Sequence, residues 1–225
     1  MGDHTAFFYG TLMAPAVLMR VCHGTNPTTP RPAFDAKPAI LHHFRRHRVK
    51  NADYPAILPC ADGPGGGSAC VRGTVVRGLT DGDIWRLDKF EGDEYERRTV
   101  PAKLLVPAEG AAKNEDGAAS EHVTDMTATE RRAAADHVEL VEGETVACET
   151  YVWVSDREDL EDAEWDFEEF VRGKLWRWAG PEAEKEGEYR EVDEAAKAHE
   201  GGKDPTGGRG LNGSVERVWS AGKTS

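Results

Sequence analysis

The stretch Leu87–Arg98, LDKFEGDEYERR, decides how the rest of the chain is read. It opens as the end of a helix. Thr80 with Asp83 three residues on has the spacing of an N-terminal capping box, a shorter acid standing where Glu is usual. Ile84 and Leu87 then fall on one face, and the next place on that face, seven residues after Ile84, is Glu91. Gly92 follows at once, where a helix can close through a left-handed residue. The pattern therefore sets a carboxylate at a helix terminus, aimed inward along the apolar face. Two readings fit that position: a solvated Glu in a charged turn, or a buried carboxyl with a raised pKa, suited to proton transfer. Position alone leaves both open.

Outward from there, the N-terminal stretch Phe7–Leu12 reads FFYGTL. The β-forming residues Ala6, Phe7, Phe8 and Tyr9 run into Gly-Thr, and Pro15 opens a short helix. A strand entering a Gly turn ahead of a helix exposes backbone N–H groups that can hold an anion. Any strand-turn-helix shares this feature. Paired with the Glu91 segment it says more.

Tyr9-Gly10-Thr11-Leu12 and Leu87-Asp88-Lys89-Phe90-Glu91-Gly92-Asp93-Glu94-Tyr95 resemble, in type, spacing and order, the gamma-glutamylcyclotransferase-like family and its avirulence-induced-gene branch. There a YGT/S-L loop faces the Glu of an L-D-x-[FY]-E-G-x-x-Y motif. FRRHRVKNADYPAILP, Phe44–Pro59 with its Tyr54–Ala56 triplet, is similar to the same branch. The resemblance covers about residues 5–106 and 145–154. It implies a mixed sheet curled into a small partial barrel with peripheral helices, where the sequence pattern alone supports only α+β.

The resemblance also implies a reaction. A γ-glutamyl compound becomes 5-oxoproline and a free amine when its own α-amine attacks its γ-carbonyl. On that reading Glu91 is the catalytic base, and Tyr9, Gly10, Thr11, Leu12, Tyr54, Tyr95 and Tyr151 hold the substrate. No metal or organic cofactor is required. Tyr95 and Tyr151 either lend hydroxyls to the cavity or are core aromatics with satisfied hydroxyls. Two further readings stay open: a catalytically silent member that binds a small ligand or a protein partner, and an amide hydrolase with a Glu-activated water.

Composition narrows the partners. The 225 residues suit one domain with appendages, and no run of 18 apolar residues exists to span a membrane. The N-terminus lacks a basic region and cleavage site, and the four cysteines are dispersed, so a cytoplasmic protein with reduced thiols is expected. Net charge is -13 and uneven: residues 1–106 carry 14 Lys/Arg against 11 Asp/Glu, residues 107–144 carry 3 against 10. A nucleic-acid surface is not expected, whereas a small anionic ligand fits the mildly basic part. Arg45, Arg46, Arg48 and Lys50 read either as charge guarding an edge strand or as a basic lip for substrate carboxylates. Of the neighbouring histidines only His43 and His47 share a strand face, and no Cys or acid nearby completes a metal set.

In order, the pattern predicts a strand at Thr5–Tyr9, a helix at Pro15–Val21 and a loop at Gly24–Pro32. A long strand follows at Ala39–Val49, an extended segment at Tyr54–Pro59 and a turn at Asp62–Gly67. Ala69–Leu79 is a strand with Gly73 as its bulge, and Arg97–Val106 a strand that Pro101 assigns to an edge or a bulge. Pro107–Glu144 reads as an acidic insertion with a helix at Ala128–Ala135, and Thr145–Val154 returns as strand. Ala163, Phe167, Phe170, Val171, Leu175 and Trp178 make one stripe of a single helix, Ala163–Trp178. Residues 1–180 thus form the expected domain. The charged, Gly-rich tail 181–225, without an apolar stripe of its own, is expected to be partly disordered and dispensable.

Overall fold

A computed structural model describes residues 3–24, 34–61, 69–108, 139–179 and 187–199. Among the described residues there are seven strands: β1 (His4–Phe8), β2 (Asp35–His42), β3 (Phe44–Arg48), β4 (Pro55–Pro59), β5 (Cys70–Leu79), β6 (Tyr95–Pro107) and β7 (Leu140–Trp153). The helices are α1 (Pro15–His23), α2 (Asp81–Glu91), α3 (Phe167–Gly173), α4 (Leu175–Ala179) and α5 (Gly187–His199).

Five strands close into a barrel in the order β1-β5-β2-β6-β7. Four of the pairings are antiparallel. Directions cannot alternate all the way round a ring with an odd number of strands, so one seam must be parallel. It lies between β1 and β7, at Ala6↔Glu149. The expected mixed, curled sheet is present, and this seam carries the curl to closure. β3 and β4 form a separate two-stranded sheet.

Alternation along the strands builds two cores. Phe7, Val75 and Val152 join Leu41, Val71, Val100 and Ala102 inside the barrel. Their sequence neighbours Phe8, Val76 and Tyr151 face outward into a second core with Leu18, Val21, Leu87, Phe170 and Trp178. The helices are thereby packed on one side of the barrel, and Tyr151 faces them.

Several elements depart from the sequence pattern. The expected strand Ala39–Val49 is two strands in two sheets, because His43 takes a left-handed φ of 65°. Its N–H donates to Ala69 O at 2.7 Å and its carbonyl accepts from Cys60 N–H at 2.8 Å, which holds the corner. His43 and His47 therefore share no strand face. His47 is buried, with Nδ1 3.0 Å from the Glu161 carbonyl.

The bulge in β5 is at Gly78, where the β1 register shifts and φ is 86°, not at Gly73. Gly73 instead allows close approach: a Cβ there would lie 2.3 Å from the Phe8 carbonyl. Pro101 pairs with Ala147 of β7 and lies outside the β2 pairing, which spans Lys103 and Leu104, while the register shift of β6 falls between Lys103 and Leu105.

The expected insertion is shorter than its pattern, since β6 runs to Pro107 and pairs there with Leu140 of β7. The Ala128–Ala135 helix, most of the Gly24–Pro32 loop and the Asp62–Gly67 turn lie outside the described residues.

The helix expected over Ala163–Trp178 is two short ones. Asp166 caps α3, its side chain accepting the Glu169 N–H at 2.6 Å, so the residues before it are not helical. Gly173 weakens the middle, and Asp53 draws the chain aside through Lys174 at 2.6 Å and Arg177 at 3.2 Å.

The tail is not wholly apart from the domain. Tyr189 and Val192 of α5 are 0% exposed. Tyr189 lies against Phe90 and Trp178, and Asp193 is 2.7 Å from both Arg20 and Arg86. α5 is docked on α1 and α2.

Candidate active site

The site is built on α2. Both halves of the Thr80–Asp83 capping box form, and Gly92 closes the helix with φ 67°, its N–H donating to Asp88 O. Ile84 and Leu87 are buried on the face that Glu91 continues. Glu91 is half-buried and lines a cavity of about 200 Å³. Tyr9, Gly10, Thr11, Leu12, Tyr54, Tyr95 and Tyr151 line the same cavity, so the structure brings all eight sequence-derived residues together.

Burial pushes the Glu91 carboxyl from its ordinary 4.5 up to about 8, and the nearby charge of Asp88 adds to the rise. Among the described residues no cation pairs with Glu91. Burial likewise pushes the phenols of Tyr9, Tyr95 and Tyr151 well above their ordinary range, so all three are neutral hydroxyls at neutral pH.

Those hydroxyls are committed as donors. Tyr9 donates to the Tyr151 carbonyl at 2.6 Å, Tyr95 to the Pro55 carbonyl at 3.1 Å, and Tyr151 to Asp88 Oδ1 at 3.0 Å. They stiffen the wall and can offer a ligand only oxygen lone pairs.

The turn opposite has donors to spare. Its first internal bond runs from Met13 N–H to Gly10 O at 2.9 Å, which leaves the Thr11 and Leu12 N–H groups ahead of it. Arg46 fixes the entry to the turn by donating to the Tyr9 carbonyl at 2.9 Å.

The basic cluster is not a lip on this cavity. Arg45 donates to Asp162 O, Arg46 pairs with Glu164, Arg48 with Glu169, and Lys50 donates to Glu158 O. These contacts bind the acidic segment that precedes and begins α3, and none of the four residues lines the cavity. Lys89 supplies the cation among the described lining residues.

Sequence reasoning missed part of the wall. Phe8, Pro55, Phe90 and Trp178 supply apolar surface, and Glu94 and Glu191 line it as well. Phe90 was legible as the neighbour of Glu91, and Pro55 as the centre of the Tyr54–Ala56 triplet. Glu191 had no signal, because it reaches the cavity only through the docking of α5. Among the described residues no group of three or more His, Cys, Asp or Glu is placed to hold a metal. No helix among them is long and apolar enough to cross a membrane.

Barrel and cavity together define an α+β protein with a protonatable carboxyl in an aromatic pocket. Residues 6–119 match the family model described as gamma-glutamyl cyclotransferase, AIG2-like, and the chain belongs to that family. AIG2-like protein C of Arabidopsis thaliana is 33% identical over 165 residues, 73% of this chain and 67% of that protein. Protein AIG2 C of the same organism is 28% identical over 168 residues, 75% of this chain and 72% of that protein. A solution structure of an Arabidopsis thaliana protein is 25% identical and covers 99% of this chain and 97% of that one, with a TM-score of 0.44.

Proposed function

We propose that this protein is a gamma-glutamylcyclotransferase, releasing 5-oxoproline and an amine from a small γ-glutamyl compound. The observation that carries the reading is the Glu91 carboxyl, raised to about 8 in a small aromatic cavity. A chain-terminal α-ammonium titrates near ~8, and one beside a free carboxylate, as in a γ-glutamyl compound, holds its proton more tightly. Moving a proton from bound ammonium to Glu91 is then a modest climb, and it frees the lone pair that attacks.

The new bond joins the α-nitrogen to the γ-carbon, and the bond that breaks joins that carbon to the leaving nitrogen. The α-ammonium gives up two protons on becoming the lactam N–H. The leaving amide N–H gains two on becoming an ammonium. Glu91 carries them across one after the other, ending as it began. The Thr11 and Leu12 N–H groups receive the developing oxyanion, a well-aimed donor being worth ~3 kcal/mol. Ring closure is intramolecular, so holding the substrate folded supplies ~7 kcal/mol or more. Drug-sized ligands occupy pockets of ~300 Å³ upward. The cavity of about 200 Å³ suits a group of amino-acid size, with the leaving group extending outward. The proposal keeps the cytoplasmic setting expected from composition.

The test is a mass-spectrometric screen of γ-glutamyl compounds for 5-oxoproline. Its appearance supports cyclisation, free glutamate supports a hydrolase, and no product from any compound supports a silent binder. An N-acetylated analogue of an active substrate, shown by competition to bind, should not turn over.

A further inference from the structure

We propose that Asp88 is a positioning residue that keeps the working proton on Glu91, one helical turn ahead of it. The proposal rests on Glu91 being the base, and it concerns a residue whose place is otherwise hard to explain. Asp88 sits in the last turn of α2, where the helix dipole disfavours a negative charge. It is also buried, which disfavours that charge again.

What holds the carboxylate there is specific. Arg97 of β6 donates Nε to Asp88 Oδ1 at 3.0 Å, both side chains being 5% exposed. The Tyr151 hydroxyl of β7 donates to the same oxygen at 3.0 Å. Arg97 turns its other side to Glu149, which His4 of β1 also meets at 3.0 Å, and His4 reaches Asp81 at 2.8 Å. A line of charged and polar groups thus runs from the first turn of α2, through β1, β7 and β6, back to its last turn.

The surroundings of Glu91 leave Asp88 in a distinctive place. Tyr9 just after β1, Tyr95 from β6 and Tyr151 from β7 face the cavity as neutral phenols. The charged Lys89, Glu94 and Glu191 line it too, each largely exposed to solvent that screens it. Asp88, paired with the equally buried Arg97, is one helical turn from Glu91, and its charge adds to the effect of burial. It works on the wall as well. Its partner Tyr151 lines the cavity and accepts the Tyr9 hydroxyl on its carbonyl.

Carboxyl ¹³C NMR on the intact, labelled protein without substrate tests this apart from any turnover, so its failure and that of the cyclotransferase reading are distinguishable. In the native protein the Glu91 carboxyl should titrate at about 8. Asp88→Asn keeps the shape and removes the charge, and should lower the proton affinity of Glu91 roughly tenfold, one pH unit in its midpoint. Tyr151→Phe, which leaves the charge in place, should move that midpoint less. An unmoved midpoint in Asp88→Asn would reduce Asp88 to a structural residue and overturn the proposal. If Asp88→Asn does not fold, the native titration decides, and a Glu91 midpoint in the ordinary carboxylate range overturns it.

Discussion

Gly10 stands so close to Pro55 that a Cβ built on it would lie 2.7 Å from the Pro55 Cδ and 2.8 Å from its Cγ. The φ of Gly10 is -129°, open to any residue, so space and not backbone freedom requires glycine here. Pro55 cannot yield easily. It opens β4, and its carbonyl accepts the Tyr95 hydroxyl. Gly10→Ala must therefore spread the turn from β4 and move the Thr11 and Leu12 N–H groups. Overpacking of this kind costs ~1–3 kcal/mol. A fall of roughly tenfold or more in kcat/KM is expected, with a smaller drop in Tm, read by 5-oxoproline kinetics beside thermal unfolding. Unchanged kinetics would place the oxyanion donors elsewhere.

Removing the chain after Ala179 should destabilise the protein, against the expectation drawn from its charged, Gly-rich composition. Tyr189 packs with ring centroids 5.8 Å from Phe90 and 6.0 Å from Trp178, and donates its hydroxyl to the Trp178 carbonyl at 2.8 Å. Truncation uncovers these rings and strips Asp193 from Arg20 and Arg86. Burying one large apolar side chain is worth ~1.5–3 kcal/mol, so Tm should fall by several degrees in a thermal melt. The cavity should loosen with it, since Phe90, Trp178 and Glu191 line the wall. An unchanged Tm would mean that α5 contributes nothing to the fold.

The two elements that carry the site were legible for a physical reason: each is local. The Thr80–Asp83 box, the Ile84–Leu87–Glu91 face and the Gly92 stop lie within one helix, so spacing alone defined α2. The strand-to-turn passage at Tyr9-Gly10 was local in the same way. What escaped depends on partners distant in sequence. His43 turns the chain with a φ that histidine tolerates but does not announce, and bonds to Ala69 and Cys60 hold it. The break before Leu175 depends on Asp53, far back in the chain. Among the described residues of α5 Tyr189 and Val192, at i and i+3, are buried, and an ion cluster with α1 and α2 adds to its hold. Closure of the barrel rested on a single parallel seam that no strand pattern records.

Stability should depend on pH through Glu91, with a definite sign. Its carboxyl is raised from 4.5 to about 8 in the folded protein. Between those values the native state holds a proton that the unfolded chain has released, so stability falls as pH rises, by at most ~1.4 kcal/mol per pH unit. The contribution is complete below about 4.5 and gone above about 8. Glu91→Gln carries no such charge. Its Tm relative to the native protein should climb from pH 5 to pH 8 and then level off. A difference independent of pH would show that Glu91 is solvated.

The most direct measurement of the account is the rate of 5-oxoproline release from one accepted γ-glutamyl compound by native protein and by Glu91→Gln. The variant keeps the size of the side chain and removes its ability to take a proton. Native protein should release 5-oxoproline with a rate that rises with pH towards 8, as Glu91 ionises. The variant, folded by circular dichroism, should be slower by ~10²-fold or more. A variant that turns over at close to the native rate would contradict the account.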